Sequence, residues 1–71
     1  LEAQIRHTLG QTYYAISAYD SADVHIRRAW TLRQQLFGDL DQRTSMSLSY
    51  VVAVAEARGA FAEAESLATL M

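Results

Sequence analysis

Two histidines, four tyrosines, one tryptophan and six arginines carry most of the chemistry in this 71-residue chain, which has no cysteine. An imidazole such as that of His7 suits general-base work, but a base needs a nucleophile or a substrate proton within hydrogen-bond reach. No serine–histidine–acid spacing, carboxylate pair, glycine-rich phosphate loop or metal-ligand pattern accompanies it. His7 is therefore expected to be an ordinary, partly exposed side chain, and His25 plainer still. The chain is expected to be a non-enzyme holding no metal and no cofactor.

The aromatic and cationic residues have competing uses. Tyr13 falls on an apolar stripe and is expected in the core, which leaves Tyr14 and Tyr50 as the better ligand platform. Trp30 suits an interface anchor, with a core filler between helix pairs the favoured reading. Arg27, Arg28 and Arg33 could meet phosphate, although basic residues at helical spacing are more often a solvated face.

Composition narrows the classes further. A chain this short buries only about 60% of its unfolded surface, and without cysteine neither a disulfide nor a thiolate metal site can add stability. More protein against it, from the same chain or a second copy, is the expected supplement. A formal charge of −2 with scattered arginines gives no electrostatic basis for nucleic-acid or acidic-membrane binding. No apolar run approaches the roughly 20 residues of a membrane span, and the expected location is cytoplasmic. Lysine and asparagine are absent and alanine is frequent, which points to a GC-rich, bacterial gene; an A- and T-rich codon table would refute that.

The elements that must position these residues are helical, because apolar residues recur at spacings of three and four. Leu1, Ile5, Leu9, Tyr13 and Ile16 predict a first helix over about Glu2 to Ser17, with Glu2 and Arg6 as an i, i+4 pair. Asp20 or Ser21 is expected to cap a second helix, with Asp23 in its first turn and paired with Arg27. Its stripe is Ala22, Ile26, Ala29, Trp30 and Phe37, and Gly38 ends it. Asp41 is expected to cap a third helix from about Gln42 to Arg58, with Leu48, Val51, Val52 and Ala55 inward. After Gly59, a fourth helix carries Phe61, Ala64, Leu67, Ala68 and Met71.

Short connections make consecutive helices antiparallel, so the expected fold is all-α, two helical hairpins. A displacement of 42 residues lays Ser17 on Gly59, Tyr19 on Phe61, Ala22 on Ala64 and Asp23 on Glu65. Small residues beside each turn, Ala15 and Ala57, Ala22 and Ala64, are expected to let paired helices approach closely, with Tyr19 or Phe61 covering the junction. The whole chain then reads as one domain, with repeat one at about 2–37 and repeat two at about 42–71, its second helix truncated.

In these positions the sequence resembles the tetratricopeptide repeat. Leu9, Gly10 and Tyr13 match the family's leucine, glycine and aromatic on the first helix; Tyr19, Ala22 and Ala29 match the second. The second unit matches at Gly59, Phe61 and Ala64, with Val51, Val52 and Ala55 in the first-helix places. The 42-residue period and the frame of Phe37, Gly38 and Thr44 resemble the kinesin-light-chain type, also found in bacterial multidomain proteins, with Asp41 and Gln42 in its histidine and proline places.

The resemblance implies a right-handed α-solenoid whose first helices line a concave groove for a protein or peptide. That groove would be lined by Gln4, His7, Thr8, Gln11 and Tyr14, and by Met46, Ser49, Tyr50, Ala53 and Glu56. Thr8 and Tyr50 stand in a pair of places where other members carry asparagine, lysine or arginine to clamp a ligand's backbone or carboxylate. The expected function is thus a protein–protein interaction scaffold segment. The alternatives are a self-association (homodimerisation) module without a peptide ligand and a regulatory nucleic-acid-binding domain using the second helix; in either case, as for the scaffold reading, the isolated chain is expected to pair with a second copy as a dimer. Arrays of fewer than about three repeats are seldom stable alone, so the fourth stripe is expected to abut a further repeat in a longer chain.

Overall fold

Three local signals set the helix boundaries. Gly38 (φ 85°) and Gly59 (φ 81°) take the left-handed conformation that costs glycine little, and the Asp41 carboxylate accepts from the Arg43 amide at 2.8 Å. The computed structural model describes residues 1–70 and is all-helical, with α1 at Glu2–Ala15, α2 at Tyr19–Phe37, α3 at Gln42–Ala57 and α4 at Phe61–Ala68. Met71, expected at the end of the fourth stripe, lies outside the described residues. α2 departs from expectation at its start: it begins at Tyr19 with Ala18 as its cap and no side-chain cap bond. Asp20 instead accepts from the Arg58 guanidinium at 3.1 Å, so its carboxylate ties two hairpins together rather than closing one helix.

Each helix packs on the next in sequence, α1 also touches α3, and α4 makes no backbone-level contact with α1 or α2 among the described residues. The Cα extents are 29 × 25 × 14 Å. That thickness fits two layers of helices at interaxial distances of about 8–10 Å.

The core is centred on Ala22 and Ile26 from α2 and Leu48, Val51 and Val54 from α3, with Tyr13, Tyr14, Tyr19, Trp30, Tyr50, Val52 and Leu67 packed around them. Most of the α2 and α3 stripes are therefore inward as expected, and Trp30 does pack on the core. Phe37 is more than a third exposed, its ring under the Arg43 guanidinium at 3.4 Å.

The α1 stripe is corrected. Leu1, Ile5 and Ile16 are 95%, 51% and 67% exposed, and the buried residues of α1 are Ala3, His7 and Gly10. The reason is steric: a Cβ on Gly10 would lie 2.9 Å from the Ile26 Cβ and 3.2 Å from the Ile26 amide nitrogen. α2 has settled against the face of α1 that lacks bulk; Leu1, Ile5 and Ile16 are turned away, while Tyr13 packs at its edge.

The small residues beside the turns divide. Ala22 and Ala64 are buried, whereas Ala15 and Ala57 are exposed and set no helix approach. Tyr19 covers its junction, packed on the core, but Phe61 is 66% exposed.

The two hairpin turns repeat one another in detail. Ser17 (φ 63°) stands where Gly59 does, and the caps Ala18 and Ala60 have φ, ψ of −85°, 69° and −85°, 63°. The Ala18 amide donates to the Tyr13 carbonyl at 2.8 Å, and the Ala60 amide to the Ala55 carbonyl at 2.9 Å. The 42-residue correspondence is thus one of backbone geometry as well as residue type.

Candidate functional site

α1 and α3 touch, and their facing side chains build the only face to which both of these helices contribute aromatics among the described residues. The Tyr14 and Tyr50 rings meet edge-on, centroids 6.0 Å apart at 88°. Tyr14 also leans on Tyr19 at 5.7 Å, which carries α2 into the same cluster. Both tyrosines keep part of their surface open, as do Gln11 and Ala53, while Gln4, Thr8, Met46, Ser49 and Glu56 are exposed. Helical spacing alone places these residues together, since Gln4, Thr8 and Gln11, and Met46, Ser49 and Ala53, each recur at three or four.

His7 does not belong to this open face and is corrected from a partly exposed residue to a buried one, 3% exposed. Its Nδ1 lies 3.0 Å from Ser47 Oγ, and its ring stands perpendicular to that of Tyr50 at 5.4 Å. Arg33, also buried, donates from Nη1 to Ser47 Oγ at 3.2 Å and to the Arg43 carbonyl at 3.0 Å, and from Nη2 to Gln4 Oε1 at 3.0 Å. A guanidinium only donates, so Ser47 Oγ accepts from it and its own hydrogen is free for His7 Nδ1. We assign His7 as the neutral tautomer protonated at Nε2, an atom with no hydrogen-bond partner.

Burial, and then the nearby Arg33 charge, hold the His7 pKa below its usual value. Arg33 has its own pKa lowered by burial and by Arg43. The serine and histidine have the composition of a nucleophile and its base, but Ser47 is fully buried, so no reagent reaches the hydroxyl. What the cluster does is join α1, α2 and α3.

The arginines grouped by sequence do not form one basic patch. Arg33 is buried, Arg27 bonds Asp23 at 2.7 Å and also pairs with Glu63, and Arg28 lies 3.8 Å from Glu2. Arg58 spans Asp20 and Asp23, the latter at 3.2 Å. The Arg58 pairs stitch α2 to the α3–α4 turn, Arg27–Glu63 joins α2 to α4, and Arg28–Glu2 joins α2 to α1. His25 stacks on Tyr13 at 5.4 Å and meets Arg6 through Nδ1 at 3.1 Å, a packing role on the α1–α2 seam.

Two concavities stand out among the described residues. One, of about 330 Å³, lies between the C-terminal half of α2 and the start of α3, with Trp30, Leu40, Leu48 and Leu70 on its walls. The other, of about 210 Å³, is a groove between α3 and α4. Among the described residues no three histidine, aspartate or glutamate side chains are placed to hold a metal ion, and no helix is long and apolar enough to cross a membrane.

Sequence reasoning missed the inward hydroxyls Thr44 and Ser47, both buried. Their signal was present: Thr44 and Ser47 are three apart and stand four residues before Leu48 and Val51, on one helical face. Comparison with protein families, with characterised proteins and with solved structures finds no match to this chain.

Proposed function

We propose that the chain is a non-catalytic, tetratricopeptide-like segment of an α-solenoid that binds a protein or peptide across the face formed by α1 and α3. One observation carries this reading: α4 does not return to α1. A closed four-helix bundle would cover its first helices with its last, whereas here α1 and α3 lie side by side with the Tyr14–Tyr50 pair partly open between them. The repetition of the turn after 42 residues supports the same reading.

On this reading Tyr14 and Tyr50 supply the apolar contact area. Gln11, Thr8 and Ser49 supply donors and acceptors for a ligand backbone, and Met46 supplies adaptable apolar surface. His7, Ser47 and Arg33 hold the two first helices at fixed spacing from beneath.

The reading is tested by panning a random-peptide display library on the chain and measuring a recovered peptide against Tyr14→Ala and Tyr50→Ala by calorimetry. Truncating an interface aromatic costs more than about 1 kcal/mol where it is a hot spot, so binding should weaken about fivefold or more with helicity retained. Peptides that bind both variants as well as the parent would show that this face is not the site.

A further inference from the structure

The α3–α4 groove has a counterpart inside the same molecule that is already filled. Its walls are Val52, Glu56, Phe61, Ala64, Glu65 and Ala68. Forty-two residues earlier stand Gly10, Tyr14, Tyr19, Ala22, Asp23 and Ile26, the surface on which α3 is seated. There Ala22 and Ile26 are fully buried against Val51 and Val54, and Tyr14 and Tyr19 close the sides.

The part of α3 that fills the first seat also has a counterpart. Ser47, Val51 and Val54, all fully buried, correspond to Ile5, Leu9 and Thr12 on α1. Ile5 is 51% exposed, Thr12 is exposed and Leu9 only half-buried. Among the described residues the α3–α4 seat is thus unfilled, and α1 carries a helix face of the kind that fills such a seat.

We propose that a second copy of this chain docks head to tail on the first, its α1 lying in the α3–α4 groove as α3 lies on α1 and α2. This rests on the reading of the fold as an open stack. It is a heterologous contact, with different surfaces on the two partners, so it propagates instead of stopping at a dimer. The second copy continues an interface that the chain already makes with itself.

One position departs from the internal junction. Arg58 caps α3 and bridges Asp20 and Asp23; its counterpart at the end of α1 is Ile16, whereas the counterpart of Asp23 is the acidic Glu65. The junction between copies therefore lacks an ion pair that the internal one has, and Ile16→Arg should restore it.

The test is sedimentation equilibrium over a concentration series, with helicity followed in parallel, on the parent chain, Ile5→Glu, Phe61→Glu and their equimolar mixture. Both substituted residues are more than half exposed, so each variant should keep its helicity and lose one face. The parent mass should rise beyond twice the 7.9 kDa of the chain. Each variant alone should remain a monomer, and the mixture should form a one-to-one pair that grows no further. Ile16→Arg should tighten parent association about threefold, the scale of an exposed ion pair.

A mixture that stays monomeric overturns the proposal, as does a parent that stops at a dimer or never associates. Peptide binding at Tyr14 and Tyr50 is measured separately, so either result leaves the first-helix face to be judged by its own experiment.

Discussion

Replacing Gly10 by alanine sets two effects of opposite sign against each other. In an exposed helix the change stabilises by about 0.8–1 kcal/mol through helix propensity. At this position the new Cβ would sit 2.9 Å from the Ile26 Cβ, against a comfortable carbon–carbon separation of about 3.5–4.0 Å. Relief cannot come from a rotamer, because the Ile26 Cβ is fixed to the backbone and its amide nitrogen lies 3.2 Å away. α1 must move off α2 by roughly 0.6–1 Å, disturbing the seam that carries Ala3, His7, Ile26 and Ala29. Overpacking of this kind costs about 1–3 kcal/mol; set against the propensity gain, the expected net loss is about 0–2 kcal/mol, up to roughly 15 °C in melting temperature for a domain this small. A fold of this length has about 4–10 kcal/mol in total, so urea unfolding followed by circular dichroism and Trp30 fluorescence can measure the difference. Thr12→Ala, on the exposed side of the same helix, controls for propensity and should be neutral or slightly stabilising. If Gly10→Ala were more stable than the parent by the full propensity gain of about 0.8–1 kcal/mol, the close approach of α1 and α2 would be wrong.

Other expectations follow from single contacts. Ser17→Gly should stabilise by about 0.5–1 kcal/mol in thermal unfolding, because a serine at φ 63° occupies a left-handed conformation that glycine adopts freely. His7 is held neutral in the fold, so the unfolded chain takes up its proton first. Stability on its account is complete above pH 6.5 and declines as the pH falls below that value toward the lowered folded pKa; His7→Gln should flatten that part of a urea-midpoint profile. The Asp41 pKa is brought down to about 2 by its side-chain and backbone hydrogen bonds with Arg43. Its support for the start of α3 is present above pH 3.8 and lost as the pH falls through about 2. Asp41→Ala should lower the melting temperature at neutral pH and make little difference below that range.

The parts of the fold legible in the sequence are those written in local chemistry. Gly38, Asp41 and Gly59 end or begin helices through their own backbone preferences and side-chain bonds, and α2 and α3 turn inward the faces that their apolar spacing marks. α1 was misread because the largest apolar residues define its stripe while its neighbour packs on the smallest, Ala3 and Gly10. Periodicity reports that a helix has an apolar face, and says nothing of which surface covers it. Asp20 failed as a cap for a related reason: its partner, Arg58, lies 38 residues away. Of the face assigned from the family resemblance, helical spacing placed nine residues on open or half-open surface. It could not show that His7 is buried, because that depends on Ser47 and Arg33 arriving from two other helices.

The Arg33 guanidinium acts as a ratchet pawl between the hairpins. Its acceptors come from three places at once: Gln4 on α1, and Ser47 and the Arg43 carbonyl on α3. Apolar side chains alone would let α3 slide along its seat through many positions of nearly equal energy. A slide of one helical turn, about 5.4 Å, would strip this buried cation of these three acceptors. The register of α3 against α1 and α2 is thereby tied to a polar key no wider than one side chain.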